Sequence, residues 1–475
     1  MSASEVGFAS AYDDEVRPFS PPSCAGENLS CELLIAGGGL SGLSAAETAM
    51  QDGLDVVVIE KGKFGKAAAS GLNAGQFLTS WVKPVSTMIS ELTRQEQERG
   101  LRAAPARLLA ERRVRAFLRR TVEGCQQLAQ LNHDYNLRAS LQHGAAIAAV
   151  NEADLRDLEV GYDFMQAGNL GVMMPSIDGR RRPFYRTFSA RQFEGRCGTA
   201  EGFYAGGIID YFGGSFRPRR FLHALARSLH RRGVRFFQDT EARALDFVDS
   251  HLTVFCGNDA AIRASRLFMA NAYARHINGD TAERAIFTYN YVVEVGLPDG
   301  ARLLTAEKVL SDTRDPCFYA RRLGRSLYMG YEETPETSPD ITREVARKTL
   351  EEGQRVFPAL RTLSEPEIKR AWSGAIFYTL DDYPFVEQRH DGRVVTFATP
   401  SDHGNALAIR VGQIVGNLAA STLAAPRSEE AHRRRRHAMQ QLRLFEGFPK
   451  GLRLRPGMRY QEAASPGLAD DEVIQ

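Results

Sequence analysis

The sequence predicts an α/β fold built on a parallel sheet, and three observations near the N-terminus lead to that prediction. Two short apolar runs, Leu33–Ala36 and Asp55–Glu60, have the composition of buried parallel strands. A glycine-rich turn and a run of Ala and Leu at helical spacing, Leu43–Gln51, lie between them. A strand, a turn, a helix and a second strand within about thirty residues form a βαβ unit.

Further along the chain, the pattern predicts more helices and strands, including a second, antiparallel sheet. An amphipathic helix is expected over Phe221–Arg231, and strands are expected after it. Residues 285–335 alternate between apolar and polar, which is typical of an antiparallel sheet. The strand Val394–Ala398 leads into a long helix near Ala406–Leu423. The parallel sheet is therefore expected to draw on both ends and the middle of the chain.

The overall composition excludes several classes of partner. The 475 residues carry a formal net charge of +2, so no global field favours nucleic acid or a membrane surface. No run approaches ~18 consecutive apolar residues, so no stable membrane insertion is expected. The six cysteines form no C-x-x-C, and the histidines have no metal-ligand spacing. We expect a cytoplasmic protein with a small-molecule substrate and no metal.

The turn Gly37-Gly38-Gly39-Leu40-Ser41-Gly42 fits the G-x-G-x-x-G pattern of dinucleotide-binding folds. Its first glycine permits a tight turn, its second lets the backbone approach a pyrophosphate, and its third allows close helix–strand packing. Glu60 follows Gly42 by 18 residues, where an acid accepts hydrogen bonds from a ribose. The predicted dinucleotide contacts are Gly37, Gly38, Gly39, Leu40, Ser41, Gly42, Glu60 and Lys61.

The segment Ala67–Gln76 favours FAD over NAD. It is small, polar and glycine-rich, and it follows Glu60 closely enough to wrap the pyrophosphate and flavin side of an extended ligand. The alternative is an ordinary surface loop.

Five short motifs occur in a fixed order along the chain, and together they resemble one family. They are ASGLNAGQ at Ala69–Gln76, GGSFRP at Gly213–Pro218, MANAY at Met269–Tyr273, FP with WSG at Phe357-Pro358 and Trp372–Gly374, and DHG at Asp402–Gly404. The chain from about Cys31 to Arg455 is similar to D-amino-acid-oxidase-type flavoproteins, in the branch of glycine oxidase and bacterial γ-glutamylputrescine oxidase.

The resemblance implies a Rossmann-like FAD-binding domain of the GR2 type with an inserted antiparallel or mixed β-sheet substrate domain. The expected division is an N-terminal arm over 1–30, an FAD domain over 31–100, 210–280 and 390–425, a substrate domain over 101–209 and 281–389, and a C-terminal tail over 426–475.

The resemblance also implies further FAD contacts. They are Ser70, Gly71, Asn73, Ala74, Gly75 and Gln76 in the early loop, Ala242 or Arg243 near the adenine, and Asp402, His403, Gly404, Asn405 and Ala406 before and in the last helix. Relatives with covalent flavin carry a Cys at about Gly374–Ile376 or a His at about Leu72. Because this chain has neither residue there, we expect non-covalent FAD.

Family enzymes of this kind transfer a hydride from a C–H beside nitrogen to flavin N5, and the imine formed is then hydrolysed. His403, at the N-terminus of the last helix, is expected to stabilise charge on the reduced flavin; the alternative is a cap or a packed histidine. Tyr319 and Arg321 are expected at the substrate, where the Arg could bind a carboxylate, unless it belongs to a solvated basic turn. Trp372 and Tyr378 either wall the pocket or pack in the core.

The sequence leaves the reaction partner open. Leu72 replaces the branch's usual Arg, Ala74 replaces a Gly, and the turn Thr399–Gly404 lacks the usual glycines, which bears on substrate choice and oxygen reactivity. The main interpretation is an oxidation of a small amine or amino acid with O2 as acceptor. The alternatives are a dehydrogenase that uses a quinone or carrier protein, a pathway-tailoring flavoenzyme, and a flavin-binding protein without turnover. No second nucleotide fingerprint supports an NADPH-dependent hydroxylase.

Overall fold

A computed structural model gives the architecture of the chain as two sheets with helices packed around them. It describes residues 10–13, 17–66, 69–81, 83–168, 183–248, 251–270, 285–331, 333–334, 343–364, 367–379, 383–390, 392–398, 404–423 and 429–446.

The strands in chain order are β1 (Asn28–Ala36), β2 (Val56–Ile59), β3 (Gln76–Phe77), β4 (Gln142–Ala149), β5 (Tyr185–Ser189), β6 (Gly206–Ser215), β7 (Arg235–Phe237), β8 (Ala242–Val248), β9 (His251–Cys256), β10 (Ala261–Met269), β11 (Ala285–Gly296), β12 (Val309–Asp312), β13 (Tyr319–Leu323), β14 (Ser326–Gly330), β15 (Glu333–Thr334), β16 (Ile368–Thr379), β17 (Phe385–Arg389) and β18 (Val394–Ala398).

The helices are α1 (Leu40–Gln51), α2 (Ala69–Leu72), α3 (Val85–Glu98), α4 (Ala103–Asp134), α5 (Glu152–Ala167), α6 (Ala190–Cys197), α7 (Pro218–His230), α8 (Arg343–Val356), α9 (Gly404–Leu423) and α10 (Glu429–Glu446), with a short 3-10 turn at Pro358–Leu360.

The first sheet has the order β17-β18-β10-β1-β2-β7, and β9 and β8 extend it from β10. Its central pairs, from β18 through β10, β1 and β2 to β7, are parallel. The inner strands β1 and β2 are mostly apolar because helices cover the sheet, and all four residues of β2 are buried. The βαβ unit predicted from the N-terminal pattern is therefore present, and the carboxyl ends of β1 and β2 lie side by side.

Helix α9 packs against α1 at distances that only glycine allows. A Cβ at Gly412 would lie 2.1 Å from the Ser41 carbonyl oxygen, and one at Gly416 would lie 2.7 Å from the Thr48 Cβ. The Ser44 hydroxyl donates to the Ile409 carbonyl at 2.7 Å, which satisfies a polar group inside this contact. The close packing sets the start of α9 beside the start of α1, although some 360 residues separate them in the chain.

The second sheet has the order β15-β11-β14-β13-β12-β4-β6-β3, with β16 beside β11 and β5 beside β6. Its pairs are antiparallel except β12 with β4. The loop Ala69–Gln76 is attached to this sheet, because β3 at the end of the loop pairs with β6. The division of the chain into domains at the boundaries given above stays a prediction. Strand β3 falls within the expected FAD domain but pairs with the second sheet.

The N-terminal arm expected over 1–30 contains buried residues. Strand β1 begins at Asn28, and Tyr12, Phe19 and Cys24 are buried. Phe19 packs edge-on against Phe64 and Phe236. The described part of the arm, 10–13 and 17–30, therefore contributes to the core, with Phe19 beside the first sheet and Tyr12 against the second.

The structure adds detail in three other segments: the stretch after β4, the C-terminal tail and α9. The mixed stretch after β4 contains the helices α5 and α6, and α6 begins with a capping box at Ser189. The tail contains α10, whose Leu442 and Phe445 are buried against the rest of the fold while the basic run His432–His437 is exposed. Among the described residues, α9 is the helix whose length and composition match a membrane span, and it is mostly buried. All six cysteines are free thiols.

The buried His223 of α7 makes stability depend on pH. Its Nδ1 accepts the Phe19 amide at 3.1 Å, and burial, helped by the nearby charges of Arg219 and Arg227, lowers the pKa of His223 from 6.5 to about 4. Between these two values the unfolded chain binds a proton that the folded chain does not, so the free energy of unfolding falls as pH falls. We expect a loss of about 2 kcal/mol between pH 7.5 and pH 5 from this group.

Urea unfolding at several pH values measures this effect. His223→Gln, which keeps an acceptor but does not titrate, should flatten the curve between pH 6.5 and pH 5. The matched control His133→Gln removes an exposed imidazole and should keep the shape of the wild-type curve. An unchanged slope in His223→Gln would contradict the assignment.

Candidate functional site

The turn between β1 and α1 forms a backbone cradle for an anion. Gly37 has a φ of +122°, and a Cβ at Gly42 would lie 1.9 Å from the Gly37 carbonyl oxygen. Gly39 is the N-cap of α1 and has no side chain of its own, no acid lies in the first turn, and the neutral Ser70 hydroxyl accepts the Leu40 amide at 3.2 Å. The partial positive charge of the helix end is therefore available to a phosphate.

Glu60 directly follows β2 and lies beside this cradle. Its carboxylate accepts the Gly38 amide at 3.0 Å, and only 6% of the residue is exposed. Burial raises the pKa of Glu60, although the hydrogen bonds from Gly38 and Gly62 act in the opposite direction. A buried carboxylate needs donors, and a ribose diol at this position would supply them.

The loop Ala69–Gln76 is fastened to the start of α9 by two amide side chains. Asn73 Nδ2 donates to Asn405 Oδ1 at 3.2 Å, and Asn405 Nδ2 donates to Asn73 Oδ1 at 3.1 Å. Asn405 Nδ2 also donates to the Gln76 carbonyl at 2.6 Å, and the Gly75 amide donates to Asn73 Oδ1 at 2.8 Å. Two segments that the sequence predicts separately as flavin contacts are thus held together by reciprocal hydrogen bonds.

The same loop is fastened to the second sheet on its other side. Gln76 Nε2 donates to the carbonyls of Leu310 and Ala320, both at 3.3 Å, and Gln76 Oε1 accepts the Ser311 hydroxyl at 2.6 Å. Trp372 Nε1 donates to the Leu72 carbonyl at 2.8 Å. The loop is therefore fixed between the two sheets, which is the position that an extended ligand crossing from one to the other would need.

A cavity of about 530 Å³ opens at this loop and continues along the second sheet. The predicted site residues that line it are Leu40, Ser70, Asn73, Ala74, Gln76, Tyr319, Gly404 and Asn405. Its far end lies between α5 and the loop that precedes β13, where Tyr162, Asp312 and Cys317 form part of the wall. A volume of this size is typical of sites for small organic molecules.

Arg321 is buried beside the loop Ala69–Gln76. The residue is 1% exposed, and its Nη1 donates to the Ala74 carbonyl at 2.9 Å. Its burial contradicts the solvated basic turn, while its expected role in binding a substrate carboxylate stays a prediction. The neighbouring Arg325 is exposed, as a solvated turn would have it.

The other predicted substrate-side residues separate into two groups. Tyr319 lines the cavity, and its hydroxyl donates to Asn290 and to the Tyr291 carbonyl. Trp372 is buried behind the loop and packs in the core, while Gly374 and Ile376 of the same strand reach the cavity. Tyr378 lies on the backbone of β16, but its side chain is outside the described residues.

The predicted adenine contacts lie at the edge of the first sheet next to Glu60. The Thr240 amide donates to the Glu60 carbonyl at 2.9 Å, and Ala242 follows two residues later at the start of β8. Arg243 is exposed and pairs with Glu241, and Lys61 is also exposed. Asp402 and His403 lie outside the described residues, so their predicted roles stay predictions.

Buried Asp210 organises the cavity wall, and sequence reasoning missed it. Its carboxylate accepts the Thr79 amide and hydroxyl, the Tyr162 hydroxyl, and the amides of Phe212 and Gly213, at 2.7 to 3.3 Å. These bonds join β6 to α5 and to the segment after β3. A single acid within an apolar strand, Ile208–Phe212, is the sequence signal that could have pointed to it.

The charged residues of the cavity wall favour a cation. Among the described residues of the wall, four are carboxylates, at Asp154, Asp157, Asp312 and Asp315, and two are cations, at Lys83 and Arg314. Both cations already have acidic partners, since Lys83 pairs with Glu91 and Arg314 with Asp312 and Glu352. No cluster of His, Cys, Asp and Glu that could hold a metal ion occurs in the part of the chain that the structure describes.

Comparisons with known proteins agree on one family. The model of the family described as FAD dependent oxidoreductase, DAO, matches residues 32–418. A probable oxidoreductase OrdL of Rhizobium meliloti (strain 1021) is 24% identical over 444 residues, which cover 92% of each chain. A gamma-glutamylputrescine oxidoreductase of Escherichia coli (strain K12) is 23% identical over 431 residues, which cover 86% of this chain and 88% of that protein.

Solved structures show the same fold. An L-proline dehydrogenase from P. horikoshii has a TM-score of 0.63 at 16% identity, and the match covers 82% of this chain and 94% of that one. A glycine oxidase from Geobacillus kaustophilus has a TM-score of 0.60 at 17% identity, with 84% and 96% covered. The fold class and the family resemblance that the sequence motifs indicate are confirmed.

The Asn73–Asn405 pair gives a test of how the loop and α9 hold the cofactor. Asn73→Ala removes the acceptor of the Gly75 amide and the donor to Asn405 Oδ1, while Asn405 Nδ2 keeps its bond to the Gln76 carbonyl; each unsatisfied group costs about 1 to 3 kcal/mol. We expect FAD affinity to fall by about tenfold or more, measured by titrating apoprotein with FAD and following flavin fluorescence. Because the two residues share their bonds, Asn73→Ala combined with Asn405→Ala should cost less than the sum.

Asn132→Ala is the matched control. It removes a hydrogen bond to the Ala139 amide at the end of α4, away from the cavity, so it should lower stability without changing FAD affinity. Additive losses from the two cavity variants would show that the amide pair does not act as a unit.

Proposed function

Because this chain belongs to the family of FAD-dependent oxidoreductases and is an enzyme of that kind, we propose that it oxidises the carbon–nitrogen bond of a small amine or amino acid. The observation that supports this most is the continuous cavity, which begins at the loop Ala69–Gln76 and ends among side chains of the second sheet and α5. A substrate bound there would place one end against the cofactor and the other between Tyr162 and Asp312.

The charges of the cavity support an amine in particular. Among the described residues, its wall carries two more carboxylates than cations, and this excess of negative charge raises the local concentration of cationic ligands. Asp157 and Asp315 are polar and solvent-facing, so they can attract an ammonium group without being fully desolvated. The relative from Escherichia coli is named for an amine-containing substrate, gamma-glutamylputrescine, which agrees with this choice.

The residues of this chain supply binding, orientation and electrostatics for the reaction. Bound FAD would supply the acceptor for a hydride from the carbon beside nitrogen, and the imine product would then be hydrolysed. Leu72 and Gly374 meet at the cavity wall, where a Cβ on Gly374 would lie 3.3 Å from the Leu72 Cβ, and they limit the space for the reacting carbon. The start of α9 at Gly404 and Asn405 gives this wall a positive helix end, which stabilises negative charge that develops nearby.

An anaerobic screen of primary and secondary amines and amino acids tests the proposal. We expect amines to bleach the absorbance of the bound flavin, with kcat/KM falling as ionic strength rises because the attraction is screened. Peroxide release in air would indicate an oxidase, and reduction of a dye without peroxide would indicate the dehydrogenase alternative. If no amine or amino acid bleaches the flavin of folded holoprotein, the proposed function is wrong and the protein without turnover becomes the better interpretation.

We also propose that FAD is held without a covalent bond. The cavity wall at Gly374 and Ile376 offers no thiol, and the thiol of Cys317, on a different segment of the wall, donates to the Asp312 carbonyl at 3.2 Å. Precipitation with trichloroacetic acid should release all of the yellow colour into the supernatant. Colour that stays in the pellet would overturn this, and Cys317→Ser would then show whether Cys317 is the point of attachment.

A further inference from the structure

One face of the second sheet is divided between the cavity and a packed aromatic cluster. Asn290, Ser311, Tyr319 and Gly374 of this face line the cavity. Two residues further along β13 and β16, the same face carries Arg321 and Trp372, which are buried. Because side chains alternate along a strand, Tyr319 and Arg321 point to the same side. The segment that covers Arg321 and Trp372 therefore separates this part of the face from the cavity.

The cover is a short piece of the N-terminal arm, Ser10–Asp13. Tyr12 is 1% exposed, and its ring lies 5.4 Å from Trp372 and 6.3 Å from Tyr328. The Tyr12 hydroxyl donates to the Asn73 carbonyl at 3.0 Å and accepts from Arg321 Nη1 at 3.5 Å. Tyr12 thus contacts both the loop Ala69–Gln76, through the Asn73 carbonyl, and the guanidinium of Arg321.

Charged residues fasten the cover from its outer side. Asp13 Oδ1 accepts from Arg219 Nη1 at 2.5 Å and from Lys66 Nζ at 3.0 Å. Arg219 is itself buried, and its Nε donates to the Gly71 carbonyl at 3.3 Å. The arm is therefore bound to the same loop that its tyrosine covers.

Arg321 is left with donors that no described residue satisfies. Its Nη1 donates to Ala74, but its Nε and Nη2 are buried and have no hydrogen-bond partner among the described residues, and no carboxylate there pairs with its charge. A buried, unpaired cation is costly, so an anion that could reach these two N–H groups would bind favourably. Two parallel N–H donors match the two oxygens of a carboxylate.

We propose that Tyr12 is a specificity-determining residue that keeps a substrate carboxylate away from Arg321. This inference rests on the proposed oxidation of amines. With Tyr12 in place, the described residues of this face that line the cavity, Asn290, Ser311, Tyr319 and Gly374, are neutral, and amines without a carboxylate on the reacting carbon are preferred. With the ring removed, the space beside Asn73 and Ala74 joins the cavity to the two free donors of Arg321.

Carboxylate binding to the FAD-loaded protein tests this without any turnover. Propionate is titrated into wild type, Tyr12→Ala and Tyr12→Phe, and binding is followed by calorimetry and by the flavin absorbance. Tyr12→Ala should bind propionate at least about tenfold more tightly than wild type, as one charge-assisted pair of hydrogen bonds provides. Tyr12→Phe keeps the ring in place and should resemble wild type. Arg321→Met in the Tyr12→Ala background should remove the gain.

A second measurement compares kcat/KM for an α-amino acid with kcat/KM for the amine that lacks its carboxylate. The ratio should rise in Tyr12→Ala and return toward the wild-type value when Arg321→Met is added. Should Tyr12→Ala fail to fold, Tyr12→Leu shortens the side chain while keeping an apolar group, and the same two measurements apply.

The proposal is overturned if folded Tyr12→Ala holoprotein binds propionate no better than wild type, or if the gain survives Arg321→Met. It is also overturned if wild type already binds propionate through Arg321. If no amine reduces the flavin, the proposed function fails, but the propionate titration still decides the role of Tyr12.

Discussion

The site depends on how closely α9 packs against its neighbours. Gly412 and Gly416 bring the backbone of α9 onto α1, and Gly124 of α4 lies against the Ala406 carbonyl, where a Cβ would approach to 1.9 Å. This contact holds the start of α9 beside the turn Gly37–Gly42. A methyl group at any of these glycines would push α9 outward, and the Asn405 amide would lose its bonds to Asn73 and Gln76. Helix packing on the first sheet therefore sets the shape of the cavity wall.

The parts of the fold that the sequence predicts are those with local signals. Strands β1 and β2, the glycine turn and Glu60 follow from a pattern within thirty residues, because backbone geometry at a phosphate requires those residue types in that order. The long helix α9 follows from its apolar periodicity, and its start differs from the prediction by only two residues. Several residues of the loop Ala69–Gln76 line the cavity, and its predicted flavin contacts stay a prediction that rests on the small residues needed where a backbone passes close to a ligand.

The rest of the site depends on contacts between distant residues, which no local pattern contains. Arg321 sits in a basic sequence that suggests a surface turn, yet its burial is decided by Tyr12, more than 300 residues earlier. The arm around Tyr12 has a polar composition, so its burial depends on a few aromatic and charged residues rather than on an apolar run. The role of α5 in the cavity was likewise hidden, because its inward residues, such as Tyr162, are anchored by Asp210 of a different strand.

Arg321 supports the loop Ala69–Gln76 and also carries a charge that this support does not require. Gly75 has a φ of +81°, and a Cβ there would lie 2.4 Å from Arg321 Nη1, so the guanidinium and the loop backbone fit together only with glycine at this position. The hydrogen bond to the Ala74 carbonyl makes Arg321 a support for the loop, while its two free N–H groups are more than that support requires. A neutral donor such as an amide could hold the loop at a lower desolvation cost. The positive charge of Arg321 therefore has a physical role if an anion reaches it. It also has one if its field acts on the neighbouring cavity through the low-dielectric wall formed by Tyr12, Tyr328 and Trp372.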